Sequence, residues 1–322
     1  MIYSIGHVTK FTYDTPVTES VMETRMQPRS DGGQRCLHFG LTTTPSSRVL
    51  MYQDHEGNRV HHFVIPGKHA RLTITAEALV ERDAVAPVPE TLGAGAWDRL
   101  DALTATGEFW DSLRPSGFAH ATALLDQFGN EIALARDADP LQTVRRVSAA
   151  VYARFEYNQD STHVDSPIDD ALGSRKGVCQ DFAHVFIALL RPLGVPARYV
   201  SGYLFHRKDG GDRSADGATH AWVEVLMPDL GWVGFDPTNN IAAGERHVRV
   251  AIGRDYADVP PTRGVFKGGS VVRSELAVAV RVGPAQSGIL GDATPFIPWI
   301  SHETRGVGLG VSLGESAAQQ QQ

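Results

Sequence analysis

Apolar and polar positions alternate through residues 1–83. The stretches HVTKFTYD, VTESVMETRMQ, CLHFGLTTT and RLTITAEALVE are rich in Val, Thr, Phe and Tyr and keep a period of two, the pattern of half-buried strands. RVLMYQDHEGNRVHHFVI adds a hairpin whose turn falls on Asp54-His55-Glu56-Gly57-Asn58. Several short strands with turn signals between them predict a β-sandwich-like or barrel-like N-terminal domain over residues 1–83. AVAPVPETLGAG (84–95) breaks the alternation with proline and glycine and opens a linker and helical connector that extends to residue 138.

The period then becomes helical. Leu141, Val144, Val147, Val151 and Phe155 fall three and four apart, with Asp139 as N-cap and Pro140 at the first helical position. Ser166 followed by Asp169 predicts the start of a short helix ending near Gly173. Val178, Phe182, Val185, Phe186, Leu189 and Leu190 predict a buried helix over about 178–191, with His184 off its apolar stripe. Beyond residue 195 the period returns to two in ARYVSGYLF, THAWVEVLM, GWVGFDPT and RSELAVAVRV. The fold class expected is α+β, with a core over 139–283. Residues 284–322 hold no clear element and end in AAQQQQ, which predicts a mobile or loosely docked tail.

Composition narrows the function. With 322 residues, 42% of them hydrophobic, the chain can bury a sizeable core. A net charge of -7 and the lack of a basic run argue against nucleic-acid partners. The start, MIYSIGHVTKFTYD, lacks a signal-peptide apolar stretch, and no segment approaches the roughly 18 apolar residues of a membrane span. The expectation is a cytoplasmic protein, without a membrane partner, whose two cysteines stay reduced. Two cysteines build neither a disulfide framework nor a four-cysteine zinc site.

Cys179 falls at the N-terminal end of the buried helix, where unpaired N–H groups and the helix dipole favour a thiolate. Taken alone it reads first as a small buried hydrophobe, the usual fate of a free cysteine, and only its surroundings reverse that reading. His220 begins one strand and Asp236 ends the next. A four-residue turn at 228–231 would pair Met227 with Trp232 and put His220 and Asp236 on opposite faces. An odd loop instead sets Asp236 across from Trp222 and diagonal to His220. In that register Asp236 orients the imidazole, His220 takes the Cys179 proton, and Cys179 attacks a carbonyl.

GVCQDFAH, GVPARYVSGYL, HAWVEV and GWVGFDPT, in that order, resemble the bacterial transglutaminase-like family of the papain-like cysteine protease and amidase superfamily. Residues 155–240 match its core, 1–83 resemble its bacterial N-terminal region, and GRDYADVPPTRGVFKGG resembles the stretch after the core. The resemblance implies a papain-like core in which a helix bearing the nucleophile packs on an antiparallel sheet, and a thioester acyl transfer on a peptide or protein amide substrate. It matches Cys179, His220 and Asp236 to the family's catalytic cysteine, histidine and aspartate, and implies no metal or organic cofactor. The acyl acceptor is water in a peptidase or amidase and an amine in a transamidase; hydrolysis ranks first because water needs no second site. A non-catalytic peptide-binding or assembly protein retaining the fold is the reading from another class, and acetyl transfer from coenzyme A ranks lower without a basic patch for its phosphates. The Cys179 N–H is one oxyanion donor; the second donor and the oligomeric state are not legible.

Other candidates are weaker. Cys36 lies on a strand and reads as structural. His55, His61 and His62 form a poor metal set, since His61 and His62 are adjacent on a strand and face opposite ways. Asp165, Asp169 and Asp170 read as capping and solvated residues rather than a calcium loop. GVGLGVSLG lacks the lysine and following helix of a phosphate cradle. The polar loop 206–219 feeds into His220, which makes it a candidate rim of the site.

Overall fold

The computed structural model describes residues 1–207, 211–269 and 272–285, with the backbone of two short strands at 306–309 and 317–318. Two long strands, β1 (Ile2–Thr24) and β4 (Arg59–Arg82), run antiparallel along their whole length. Each replaces two shorter strands expected from the sequence. The turn-like residues Asp14-Thr15-Pro16 and Pro66-Gly67-Lys68 lie near each other in the pair and are absorbed as irregular pairing. Register slips between Thr12 and Val17 and again before Glu19, and Gly67 takes a φ of 89°. β2 (Gln34–Thr44) extends the 73–82 half of β4, and β3 (Val49–Gln53) extends the other half through the expected 54–58 turn. Phe11 and Met22, from either side of the break in β1, line one small cavity. The two halves of the sheet thus fold toward each other and bury apolar faces between them, as a sandwich does.

The linker is pinned rather than free. Arg145 donates to the carbonyls of Val88, Pro89 and Glu90 at 2.7–3.2 Å. Asp139 caps the helix that starts at Pro140 by accepting from the Leu141 N–H (2.8 Å), while its other oxygen accepts from the N–H groups of Leu92 and Gly93. Helices α1 (Ala96–Thr104), α2 (Ala123–Glu131) and α3 (Pro140–Arg154) follow, then β5 (Glu156–Tyr157), α4 (Ile168–Ser174), β6 (Lys176–Gly177) and α5 (Cys179–Leu190). Ser166 does not cap α4. Pro167 holds that position, and the Ser166 hydroxyl accepts instead from the His163 N–H (3.0 Å) within the preceding turn.

All twelve residues of α5 are buried. That includes His184, expected off the apolar stripe. Phe118 stacks on its ring (5.2 Å) and the Tyr256 N–H donates to its Nε2 (3.2 Å). α5 packs on a second antiparallel sheet built from β7 (Ala197–Leu204), β8 (His220–Met227), β9 (Gly231–Asp236), β10 (Ile241–Ala242) and β11 (His247–Gly253), in the order β10-β9-β8-β7-β11. Odd-numbered Ala221, Val223 and Val225 share a core with α5; Trp222 points to the other face with Val200 and Ile252.

The chain then returns to the first sheet. β12 (Thr262–Lys267) and β13 (Arg273–Pro284) each pair with a half of β1, so residues 262–283, grouped by sequence with the core, complete the N-terminal sheet. The rings of Tyr13 and Phe266 meet at 5.1 Å between its halves. Two short strands, β14 (Gly306–Leu309) and β15 (Ala317–Ala318), pair with β13 and β12. The rest of the expected tail, with the glycine-rich GVGLGVSLG apart from its strand backbone, lies outside the described residues. Among those described, no helix is long and apolar enough to cross a membrane.

Side-chain amides join the two sheets. Gln34 exchanges two hydrogen bonds with the Arg249 backbone (2.8 and 2.9 Å), and Asn58 does the same with Ile252 (2.8 Å each). Each amide imitates a strand partner for β11, satisfying backbone groups that burial would otherwise strand.

Candidate active site

Cys179 is the first residue of α5 and is 8% exposed. The turn before it is tight. A Cβ on Gly177 would lie 2.7 Å from the Asp181 Cβ, so only glycine lets the Asp181 side chain fold back. The Asp181 carboxylate accepts from the Val178 N–H (2.8 Å) and from the Thr162 hydroxyl (2.6 Å), which fixes the helix start. Burial nevertheless dominates, and the Asp181 carboxyl is raised to about 6. Beside this turn, β5 runs parallel to β6 with Tyr157 opposite Gly177.

The odd loop is the one found. Met227 pairs with Gly231 and Val223 with Phe235, leaving Pro228-Asp229-Leu230 as a three-residue turn. Asp229 and Gly231 take the positive φ values, 65° and 70°, that such a turn needs. Continuing that register puts Asp236 across from Trp222. The diagonal is closed, with His220 Nε2 2.7 Å from Asp236 Oδ2 and both residues buried.

Asp236 collects five donors. Oδ1 accepts from the N–H groups of Thr238 (3.0 Å) and Asn239 (3.2 Å); Oδ2 accepts from His220, from Asn239 Nδ2 (2.7 Å) and from His247 Nε2 (3.2 Å). Burial opposes its charge, but the His220 charge and these hydrogen bonds prevail and hold the carboxyl far below the usual range. Burial likewise opposes a charged His220; Asp236, with a further contribution from Cys179, overcomes it and raises the imidazole well above its ordinary value. With Nε2 engaged by Asp236, His220 Nδ1 is, like the Nδ1 atoms of His61 and His206, a buried ring nitrogen without a hydrogen-bond partner among the described residues.

The sequence did not single out His247, Asn239 or Tyr157. His247 opens β11, whose His-Val-Arg-Val alternation was a legible strand signal, but its proximity to Asp236 depends on β11 pairing with β7. Asn239 also ties in the loop before His220. Its Oδ1 accepts from the Arg213 N–H (2.7 Å), and the Ala215 N–H donates to the Tyr157 hydroxyl (3.2 Å). The described part of that loop, 211–219, therefore does border the site. His220, Asp236 and His247 bring three ligand-type atoms within 4.8 Å of one another. The Gly244 N–H donates to His247 Nδ1 (3.2 Å), so His247 carries its proton on Nε2 and donates it to Asp236. Both histidine nitrogens facing the carboxylate are thus proton donors, a hydrogen-bonded trio and not a ligand set.

Cys36 stands apart from this site. Its thiol donates to the His38 carbonyl (3.3 Å) at an irregular point in β2, and burial pushes it up from its ordinary value.

Known proteins resemble this chain over the same regions. Residues 127–237 match the transglutaminase-like superfamily core, and residues 3–81 match the bacterial transglutaminase-like N-terminal region. An uncharacterised protein of Mycobacterium leprae is 33% identical over 279 residues, covering 86% of this chain and 97% of its own. One from Mycobacterium tuberculosis is 34% identical over 311 residues, covering 90% and 94%. A protein-glutamine gamma-glutamyltransferase of Pseudomonas aeruginosa is 33% identical over 109 residues, 29% of this chain and 16% of that protein. A solved structure from Cytophaga hutchinsonii, described as a candidate cysteine protease, superposes with a TM-score of 0.68 at 21% identity over 96% of this chain and 98% of its own. With both regions matched and relatives aligned along nearly their whole length, the chain belongs to the transglutaminase-like superfamily and carries the bacterial N-terminal region ahead of its core.

Proposed function

We propose that the protein is a cysteine-dependent acyl-transfer enzyme that cleaves an amide or peptide bond, with Cys179 as nucleophile, His220 as base and acid, and Asp236 as the orienting carboxylate. The observation that carries this reading is the buried His220, whose Nε2 is engaged by Asp236 at 2.7 Å and whose Nδ1 is left for the thiol at the head of α5. His220 Nδ1 takes the thiol proton, and the sulfur attacks the carbonyl carbon. The oxyanion that forms is met by the Cys179 N–H and the positive end of α5. The C–N bond breaks, the departing amine takes the proton from His220, and a thioester remains on Cys179. A second nucleophile, deprotonated by His220, then releases the acyl group and restores the thiol.

Water is our first choice for that nucleophile, because it needs no dedicated binding site. Transamidation is the second reading, favoured by the likeness of a 109-residue stretch of this chain to the Pseudomonas glutamyltransferase. The test is a panel of peptide and glutamine-amide donors, followed by mass spectrometry with and without a primary amine. Hydrolysis gives the free acid in both arms, and transamidation gives amine incorporation. Either product should fall at least 1,000-fold, on the order expected for loss of a nucleophile, in Cys179→Ala. Turnover that survives Cys179→Ala would contradict the proposal.

A further inference from the structure

We infer that His247 is a positioning residue for the Asp236–His220 pair, acting by holding the carboxylate oxygen that orients the imidazole; this rests on the acyl-transfer reading above. Three observations carry it. His247 Nε2 and His220 Nε2 approach the same atom, Asp236 Oδ2, at 3.2 and 2.7 Å. The Gly244 N–H at 3.2 Å from Nδ1 leaves His247 one tautomer, so its role as donor to Asp236 is built into the fold rather than chosen at random. The ring is 2% exposed and set edge-on to Trp222 at 5.1 Å, while Trp222 stacks against His220 at 6.1 Å. Trp222 therefore packs against both of two imidazoles that share a carboxylate and whose own centroids lie 6.1 Å apart.

The arrangement has a consequence for charge. Burial disfavours a charged His247, and a positive His220 disfavours it further. One proton fewer on the trio means that the positive charge resides on His220, beside Cys179. The titratable and charged groups facing His247 are Asp236, His220 and its chain neighbour Arg246, whose guanidinium is turned to the Asp212 carboxylate. A neutral donor at 247 thus restrains the anion without competing for its charge.

The test uses the full chain and follows iodoacetamide alkylation of Cys179 from pH 5 to 9 by peptide mass mapping, with His220→Ala as the reference and circular dichroism as the check on folding. His247→Phe keeps the ring volume and removes the donor. Its Cys179 alkylation at pH 6.5 should fall about tenfold, a magnitude usual for loss of a supporting partner, and its half-rate pH should move upward. His247→Gln, which restores an N–H donor, should recover to within about threefold of wild type. Should the Phe variant not fold, Gly244→Pro, which deletes the N–H that fixes the tautomer, should move the same profile in the same direction by a smaller factor. A wild-type profile in the folded His247 and Gly244 variants, while His220→Ala loses the reactivity, overturns the positioning role alone. Unchanged alkylation in His220→Ala overturns the acyl-transfer reading beneath it.

Discussion

The charges at this site pull stability in different directions with pH. Asp236 ionises far more readily folded than unfolded, so its contribution is present above the ordinary carboxylate range near 4 and is lost as pH falls below it. His220 binds its proton more tightly when folded, so its contribution is full below about 6.5 and fades as pH rises through its raised value. Asp181 works in the same direction as His220 and against Asp236. Its carboxyl titrates near 6 in the fold against an ordinary 3.8, so the folded state holds the extra proton between those values and stability falls as pH rises through them. Asp181→Asn keeps an acceptor for Val178 or Thr162 and removes that titration. Urea unfolding at pH 4 and pH 7 should show the wild type losing on the order of 2–3 kcal/mol more than the variant between the two, and an equal pH dependence in both proteins would contradict it. Cys179, His220 and Asp236 were legible in the sequence because each stands at the end of a patterned element. His247 and Asn239 were not, since a side chain that only supports another carries no local pattern of its own.

At the level of elements, the three-residue Pro228-Asp229-Leu230 turn decides the site. One residue more or fewer would move Asp236 to the far face of β9. Helix α5 and the strands β7, β8 and β9 follow directly from hydrophobic period, whereas β10 and β11 were not read from it. The first sheet departs further from the pattern, because Pro16 and Pro66-Gly67 look like turn residues yet lie at an irregular point of two continuous strands. Local propensity says that the chain must bend there; only the partner strand says that pairing resumes afterwards. Gly202 shows how closely the second sheet is built. A Cβ there would lie 2.2 Å from the Val248 carbonyl oxygen and 2.6 Å from the Trp222 ring, with backbone on one side and the indole that packs against His220 and His247 on the other. Gly202→Ala should lower stability by about 2–4 kcal/mol in urea unfolding, as overpacking against backbone does. Stability equal to wild type would mean that β11 is free to shift, which the Gln34 and Asn58 bridges argue against.

Across the whole molecule, chain order and spatial order part company. Residues 262–284 leave the core and close the sheet that residues 2–24 began, so the N-terminal region is built from both sides of the transglutaminase-like core. No periodicity could have revealed this, because a strand pattern says that a segment will pair and not with what. The consequence is mechanical. β11, which carries His247, is paired with β7 along one edge and held by the Gln34 and Asn58 amides of the first sheet on the other side. Arg249 continues the link by pairing with Glu224 at 3.1 Å and with Asp31, while Arg198 grips the other Glu224 oxygen at 2.7 Å. The N-terminal region therefore buttresses the sheet that positions His220 and Asp236.

The proposed acyl transfer requires one testable property, a Cys179 thiol made reactive by His220. The direct measurement is the pH dependence of iodoacetamide alkylation at each cysteine, in wild type and in His220→Ala. Cys179 should react well below pH 8 and faster than Cys36, whose thiol burial pushes up, and should lose that advantage in the variant. A Cys179 that stays inert, or that reacts identically in both proteins, would contradict the catalytic assignment and leave a folded scaffold with an idle site.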